Sequence, residues 1–371
     1  MMRIKILALI GMLGAFQVYA FDINPFKKYD GSHELILNDE ATEKSAAMLA
    51  SLIIHPVHEE LTVRSFQLIK ERKMPGHSAI TDEMIDKTIR GVRWNDDPLN
   101  LLPDNPLVWF DNFKNASENS DRITSHYDLF YRSHHHDLQF LHAMASSDAE
   151  KAGDTQKAVM MWAEFSYKVA SQFIPIHTRF SAMQQFLSPE SFRIFKKYFM
   201  NEGLRKNWTP AYLFSLKCVR QKIDQNLFTP LDCSETDWLP AKETIQNIAL
   251  GSLLHVIQDS FSDSHVSRNP EYEGEYSLIH GRAAINTFNA YTKQSFNLHR
   301  GADGYPKDYE DALSEHDLNL EEVCAQIISN VLSDREKARK KHQWNKTASY
   351  LKNGVFRITN PNALAGAGKY E

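Results

Sequence analysis

The chain has 371 residues, of which 42% are hydrophobic and 24% are charged. This composition is typical of a globular protein with ample apolar material for a core. The formal net charge of −5 at pH 7 excludes binding to nucleic acid through bulk positive charge. Phosphate groups can still be bound through metal ions.

Residues 1–20 predict a cleaved secretory signal peptide. Arg3 and Lys5 precede an apolar run over 6–16, and a small residue ends the segment. The run is shorter than the ~20 apolar residues that cross a bilayer, and no other stretch approaches that length. We therefore expect a secreted or periplasmic mature chain over 21–371, with an uncleaved anchor as the alternative. Loss of two of the 42 basic residues takes the net charge from −5 to −7.

Apolar residues recur at three- and four-residue spacing through the mature chain, whereas strand-like alternation is scarce. The helical pattern is clearest in five segments, which are 39–53, 58–72, 155–173, 241–261 and 319–342. Residues 93–109 hold three prolines among Asn and Asp residues and predict a long ordered loop. Residues 200–240 also predict loops, and 360–371 predict a surface tail.

These patterns predict an all-α protein, built as a single multi-helix bundle with long functional loops. We expect one catalytic domain over 21–371, with its core at about 50–310 and a C-terminal helix and tail at 311–371. In an oxidising compartment Cys218 and Cys233 can form a disulfide, which leaves Cys324 alone and buried. Cysteines so far apart do not form a thiolate metal site.

The segment 249–268 places metal-type ligands within an apolar helical pattern. His255 and Asp259 are four residues apart, so they share one helix face with Cβ atoms ~5–6 Å apart. His265 follows six residues later. A single pair of this kind is more simply explained as a surface ion pair. Imidazole and carboxylate groups without thiolate suit a hard or borderline ion such as zinc.

Further clusters favour a multinuclear metal site over a solvated surface. The additional candidates are His58, Asp96, His134, His299 and Asp303. We expect ligand-orienting or packing roles for His142 and Asp137. We expect surface, helix-face or turn roles for the other neighbouring polar residues, which are His55, Asp97, His135 and His136. Asp137 is also placed to orient an imidazole.

The stretch "LLHVIQDSFSDSH" (253–265) is similar to the signature of the zinc-dependent phospholipase C and single-strand nuclease superfamily. "HEELT", "WND", "HHHD" and "NLHRGAD" resemble the other ligand-bearing stretches of that superfamily, in the order it requires. "WAEFSYKVA" and "QDSFSDSHVSR" resemble a bacterial zinc metallophospholipase C branch, of the Legionella and Pseudomonas type. The resemblance covers about 50–310.

The resemblance implies a cluster of three zinc ions. Their implied ligands are Asp96, His134, His255 and Asp259 for one zinc, His265, His299 and Asp303 for a second, and His58, the second oxygen of Asp259 and the α-amino group of Phe21 for a third. The family usually has Trp where Phe21 begins this mature chain. His280 is an alternative to His299 as this ligand, but the residue four positions after it is Ala284, where the family has an acidic residue.

The resemblance also implies hydrolysis of phosphodiesters without a protein nucleophile. Zinc lowers the pKa of a bound water towards ~7, which supplies hydroxide at neutral pH, and offsets charge that builds on phosphorus. Asp96 is the expected catalytic residue, since it can both bind zinc and orient the attacking water. The leading hypothesis is a phospholipase C that cleaves glycerophospholipids, phosphatidylcholine first among them, into diacylglycerol and a phosphorylated head group.

Two other functions stay open at this point. One is a single-strand nuclease or nucleotidase on the same zinc cluster, with aromatic platforms for bases. The other is a non-catalytic, zinc-stabilised binding protein. We expect a phospholipid at a membrane surface as the partner, contacted peripherally, rather than nucleic acid or an obligate protein partner. Five loop aromatics are interpreted as core, with insertion into lipid as the alternative: Trp94, Trp109, Phe110, Trp208 and Trp238.

Overall fold

The computed structural model describes residues 24, 27–31, 34–37, 56–98, 109, 128–199, 208–215, 241–268, 284–291, 294–295, 298–299, 320–336 and 343–369. Of the described residues, 61% are helical, and their strands form two small two-stranded sheets. The predicted all-α class is therefore confirmed. The signal peptide at 1–20, the helix at 39–53 and the Cys218–Cys233 disulfide lie outside the described residues, and the single catalytic domain stays a prediction.

Nine helices are described, which are α1 (Val57–Glu71), α2 (Asp82–Val92), α3 (Asp128–His135), α4 (Ala152–Ala170), α5 (Pro189–Phe199), α6 (Pro210–Leu213), α7 (Ala241–Asp259), α8 (Leu320–Glu336) and α9 (Trp344–Tyr350). Shorter helical turns cover His77–Ala79, Gln139–His142, Phe180–Gln185 and Leu351–Val355. Two antiparallel hairpins join β1 (Lys27–Tyr29) to β2 (Leu35–Leu37) and β3 (Val266–Arg268) to β4 (Ile285–Phe288). Four of the five predicted helical segments are thus confirmed, as α1, α4, α7 and α8.

Helix α7 is the centre of the bundle. Its side chains are apolar around most of the helix circumference, and Leu250, Leu253 and Leu254 are fully buried. Helices α1, α2, α4 and α8 all pack against it. The same burial applies to His255 and Asp259 near its C-terminal end, each of which is 0% exposed. These two polar residues therefore lie inside the protein, which excludes the surface ion pair.

Helices α2 and α7 cross at two glycines, Gly91 and Gly251. A Cβ atom on Gly251 would lie 2.5 Å from the Cα of Gly91, and closer still to the carbonyl oxygen of Thr88. Only hydrogen atoms fit at this crossing, so the two backbones approach more closely than other residues would allow. The crossing brings the C-terminal end of α2 against α7, close to His255.

The residues after α2 form a turn that is held from three sides. The Asn95 side-chain amide donates to the carbonyl oxygen of Leu141 (2.7 Å) and accepts from the hydroxyl of Ser252 on α7 (2.6 Å). The Trp94 ring stacks on Trp162 of α4 at 5.7 Å between centroids. Asp96 follows directly, so these contacts set the direction in which its carboxylate points.

Three of the predicted core aromatics are buried, as the core interpretation requires. Trp94, Trp109 and Trp208 are each no more than 5% exposed, so they are not available to a lipid surface. Phe110 and Trp238 lie outside the described residues. Cys324 is buried on α8, as predicted, and carries a free thiol. No described helix has both the length and the apolar content that a membrane span needs.

Candidate metal centre

Seven imidazole and carboxylate side chains from separate parts of the chain meet beside α7. They are His58 of α1, Asp96 after α2, His134 of α3, His142 of the turn before α4, His255 and Asp259 of α7, and His265 before β3. Apart from His134, which is partly buried, each is at most 4% exposed. The cluster is therefore an interior feature of the bundle.

Asp259 lies among four histidines. Its Oδ1 is 3.3 Å from Nε2 of His58. Its Oδ2 is 2.9 Å from Nε2 of His255, 3.0 Å from Nδ1 of His142 and 3.7 Å from Nδ1 of His265. The two oxygens therefore face different imidazoles, which is the geometry that allows one carboxylate to serve two ions.

Asp96 is the second carboxylate of the cluster. Its Oδ1 is 3.7 Å from Nε2 of His134 and 3.8 Å from Nδ1 of His142, and its Oδ2 is 3.9 Å from Nδ1 of His255. His142 and His255 therefore lie between Asp96 and Asp259. Their rings are 5.0 Å apart between centroids, and the His58 ring stacks on His255 at 4.1 Å.

Two groups within this cluster could hold a metal ion. One comprises His58, His255 and Asp259, and the other comprises Asp96, His142 and His255, with the ligand atoms of each group within 4.8 Å of one another. Imidazole nitrogen and carboxylate oxygen are suitable donors for zinc and related divalent ions. The predicted metal site is thus supported at the level of the residues that could bind an ion.

The Nδ1 atoms of several cluster histidines are already committed to oxygen acceptors. His255 Nδ1–H donates to the carbonyl oxygen of Val92, and His265 Nδ1–H donates to that of His142, both at 2.6 Å. His134 Nδ1–H donates to a carbonyl oxygen of its own helix at 2.9 Å. Carbonyl oxygens only accept, so Nδ1 carries the hydrogen and Nε2 carries the lone pair in the neutral form of each ring. Metal-binding histidines are oriented in this way.

His58 is also oriented by a hydrogen bond from Nδ1, but its acceptor is a side chain. Its Nδ1–H donates to Oε1 of Gln258 at 2.6 Å, while Nε2 of Gln258 donates to the hydroxyl of Thr62 at 3.2 Å. The second contact fixes which end of the Gln258 amide faces the ring. His58 therefore directs its Nε2 at Asp259.

Burial and unmatched polar atoms also suit a bound cation. Among the described residues, Oδ2 of Asp96 and Oδ1 of Asp259 are buried and have no hydrogen-bond partner. Such atoms are costly inside a protein unless a ligand satisfies them. Every ion-pair partner that the described residues give Asp96 and Asp259 is a histidine. A metal ion would satisfy the carboxylates while leaving the imidazoles neutral.

The pKa values of Asp96 and Asp259 reflect two opposing effects, burial and the neighbouring histidines. Burial opposes the charged form of Asp259, but His255 and His265 outweigh it and hold its pKa well below the usual range. The pKa of Asp96 is likewise lowered, because His255 and its other imidazole neighbours outweigh burial. Both groups are therefore ionised at neutral pH, and burial lowers the pKa of His142 to about 4, so that ring stays neutral.

His265 and His299 form a second edge of the site. Their rings are 5.2 Å apart between centroids, and the Tyr291 ring meets His299 edge-on at 5.0 Å. Oε1 of Gln294 accepts from Nδ1–H of His299. The neighbouring Leu298 is 48% exposed, whereas His299 is 5% exposed. This edge is where the cluster approaches the surface.

The structure brings together six of the sequence-predicted ligands and one histidine that was not predicted as a ligand. The six are His58, Asp96, His134, His255, Asp259 and His265, with His299 contacting His265. Phe21 and Asp303 lie outside the described residues. Asp137 pairs with Arg132 at 2.7 Å, and its Oδ1 lies 3.2 Å from Nδ1 of His136.

His142 was expected to orient a ligand or to pack, and it contacts both carboxylates. Its neighbours Leu138, Phe140 and Leu141 are buried apolar residues. An imidazole within such a run must find a polar partner inside the protein. That signal was present in the sequence, but the residue spacing did not indicate which partner it would meet.

The N-terminal part of the chain is attached beside His58. The Asn24 N–H donates to Oε1 of Glu59 at 2.7 Å. Arg93 donates to the same carboxylate oxygen at 2.7 Å and to the carbonyl oxygen of Asn24 at 2.8 Å. Glu59 is buried and follows His58 directly. Asn24 is thus fixed near the cluster, three residues after Phe21, whose role as a ligand stays a prediction.

The metal-free protein is expected to lose stability between pH 6.5 and about 9. Burial opposes protonation of His58, but its contact with Asp259 and the negative charge of Asp96 outweigh burial and raise its pKa from 6.5 to about 9. A pKa raised in the folded state stabilises the fold fully below the unfolded value, and this contribution disappears as pH rises through about 9. Thermal unfolding of the chelated protein should show this decline, and His58→Gln should flatten it. Equal slopes in both proteins would contradict the assignment.

The chain matches no protein-family model, no curated protein and no solved structure. Its own residues and their geometry are therefore the basis for a functional proposal.

Proposed function

We propose that this chain is a secreted, zinc-dependent phospholipase C. The proposal is carried by one observation, the convergence of His and Asp side chains on the two carboxylates of Asp96 and Asp259 inside the bundle. It also draws on the sequence resemblance to the zinc-dependent phospholipase C and single-strand nuclease superfamily. Secretion follows from the predicted signal peptide at 1–20.

Three zinc ions are proposed, with one adjustment to the ligands expected from the sequence. Asp96, His134, His255 and Asp259 would hold one ion, and His142 joins them because its Nδ1 lies 3.8 Å from Oδ1 of Asp96. His58 and the second oxygen of Asp259 would hold another, together with the α-amino group of Phe21. His265 and His299 would hold the third, together with Asp303. Asp259 is the shared ligand because its two oxygens face different imidazoles.

The proposed chemistry is hydrolysis of a phosphodiester by water. Bound zinc would lower the pKa of that water and offset the charge that builds on the phosphate. Asp96 would accept a hydrogen bond from the water, since its Oδ2 has no hydrogen-bond partner among the described residues and its pKa is low enough to keep it ionised. The imidazoles are held in place by their Nδ1–H bonds, so little reorganisation is needed.

The lipid substrate is proposed from the sequence resemblance and from an exposed apolar residue at the His265–His299 edge of the site. Leu298 exposes 48% of its surface beside His299, where an acyl chain would find apolar contact. The buried Trp94, Trp109 and Trp208 are unavailable both as lipid anchors and as platforms for bases. Choline phospholipids are the first choice of substrate by resemblance alone.

A purely structural role for zinc is less well supported. Structural zinc sites are typically closed, single-ion sites with four protein ligands. This cluster instead contains two groups that could each hold an ion, and both groups include His255. Neighbouring ions of this kind are what a site needs when two metals act on one phosphate.

Head-group release from mixed phospholipid vesicles tests the proposal. The mature protein should release phosphorylated head group and diacylglycerol, lose this activity with a zinc chelator, and regain it when zinc is added back. Vesicles of phosphatidylcholine, phosphatidylethanolamine and phosphatidylglycerol would rank the head groups. Turnover of single-stranded DNA or nucleotides without lipid cleavage would replace the proposal with the nuclease alternative. Zinc-loaded protein that cleaves none of these substrates would overturn it in favour of a binding protein.

A further inference from the structure

The segment 357–369 is on the surface, as predicted for the tail, but it is bound along much of its length. The N–H of Gly153 donates to the carbonyl oxygen of Pro361 at 3.0 Å, and the N–H of Ala290 donates to that of Gly366 at 2.8 Å. Ala367 is 2% exposed. The segment is therefore attached both to the start of α4 and to the chain that follows β4.

Gln294 links this segment to the metal centre. Its Nε2 donates to the carbonyl oxygens of Ser264 at 2.6 Å and Ala367 at 3.1 Å, which uses both amide hydrogens. Its Oε1 accepts from Nδ1–H of His299. An exchange of the amide oxygen and nitrogen would place an oxygen against two carbonyl oxygens, so the orientation of this amide is determined by its partners.

We propose that Gln294 is a positioning residue of the metal centre and that segment 357–369 holds it in place. Gln294 joins the residue before His265 to the side chain of His299, so one amide sets the distance between these two histidines. Because Nδ1 of His299 carries the hydrogen in this contact, Nε2 of the neutral ring carries the lone pair that a metal requires. The inference rests on the proposed zinc function, in which His265 and His299 share an ion.

The variant Gln294→Met tests this role, because Met has a similar length and no hydrogen-bonding amide. We expect it to weaken binding of one zinc ion about 10- to 100-fold, the usual cost of losing a group that orients a metal-binding histidine. The other two ions should bind as in the wild type. Competition with a zinc chelator measures each affinity, and thermal unfolding of the metal-free variant measures the fold.

Gln326→Met on α8 is the matched control, since Gln326 is partly buried and donates to Asn330. A variant truncated after Ala365 lacks the Ala367 carbonyl oxygen and should bind the same ion more weakly. Unchanged zinc affinities in Gln294→Met, in a wild type that binds three ions, would overturn this inference and leave the proposed function standing. Loss of all three ions together with a lower metal-free Tm would show a merely structural role. A wild type that binds no zinc would overturn both proposals.

Discussion

Asp259→Asn is expected to remove two of the three proposed zinc ions together. Asp259 directs Oδ1 at His58 and Oδ2 at His255 and His142, so its two oxygens serve two groups of ligands. Asn offers one neutral carbonyl oxygen in place of two charged ones and keeps the size of the side chain. Phosphodiesterase activity should fall by a factor of about 10³ or more, because water activation and charge stabilisation are lost at once.

Zinc content by elemental analysis, with kcat on the best lipid substrate, measures this effect. The control is Asp154→Asn, which changes an exposed carboxylate of α4 that pairs with Lys157. The metal-free variant should still fold, since Asn fills the same space. Full zinc occupancy with full activity in Asp259→Asn would refute the proposed site.

Gly251→Ala is expected to destabilise the protein even though Ala favours helices by ~1 kcal/mol over Gly. The added methyl group would meet Gly91 and Thr88 of α2, and the contacts are with backbone atoms that no rotamer change can relieve. Overpacking of this kind costs about 1–3 kcal/mol and sometimes more. We expect Tm to fall by about 1.5–4 °C, given the entropy of unfolding of a chain of this length.

The same substitution should also weaken zinc binding, because α2 carries the Val92 carbonyl that orients His255. Gly354→Ala is the matched control, since a Cβ at Gly354 meets no atom within 4 Å. That variant should be as stable as the wild type or slightly more so. If Gly251→Ala retained the wild-type Tm and zinc affinity, the close crossing of α2 and α7 would be disproved.

Local patterns in the sequence were sufficient to predict four of the nine described helices and most candidate ligands. Apolar spacing located α1, α4, α7 and α8 to within a few residues. The four-residue interval of His255 and Asp259 placed both on one face of α7, because that interval is close to one helical turn. The short hairpins were not predicted, since strands of three or four residues are too short to show alternation.

The sequence by itself determined which residue types were available for a metal and which of them share a helix. Only the tertiary structure decided that Asp96 meets His255, that His142 joins the cluster and that Gln294 faces His299. These pairs are 159, 46 and 5 residues apart respectively along the sequence. No periodicity connects such positions, because their proximity follows from how closely α2 and α7 cross and from how segment 357–369 binds beside β4.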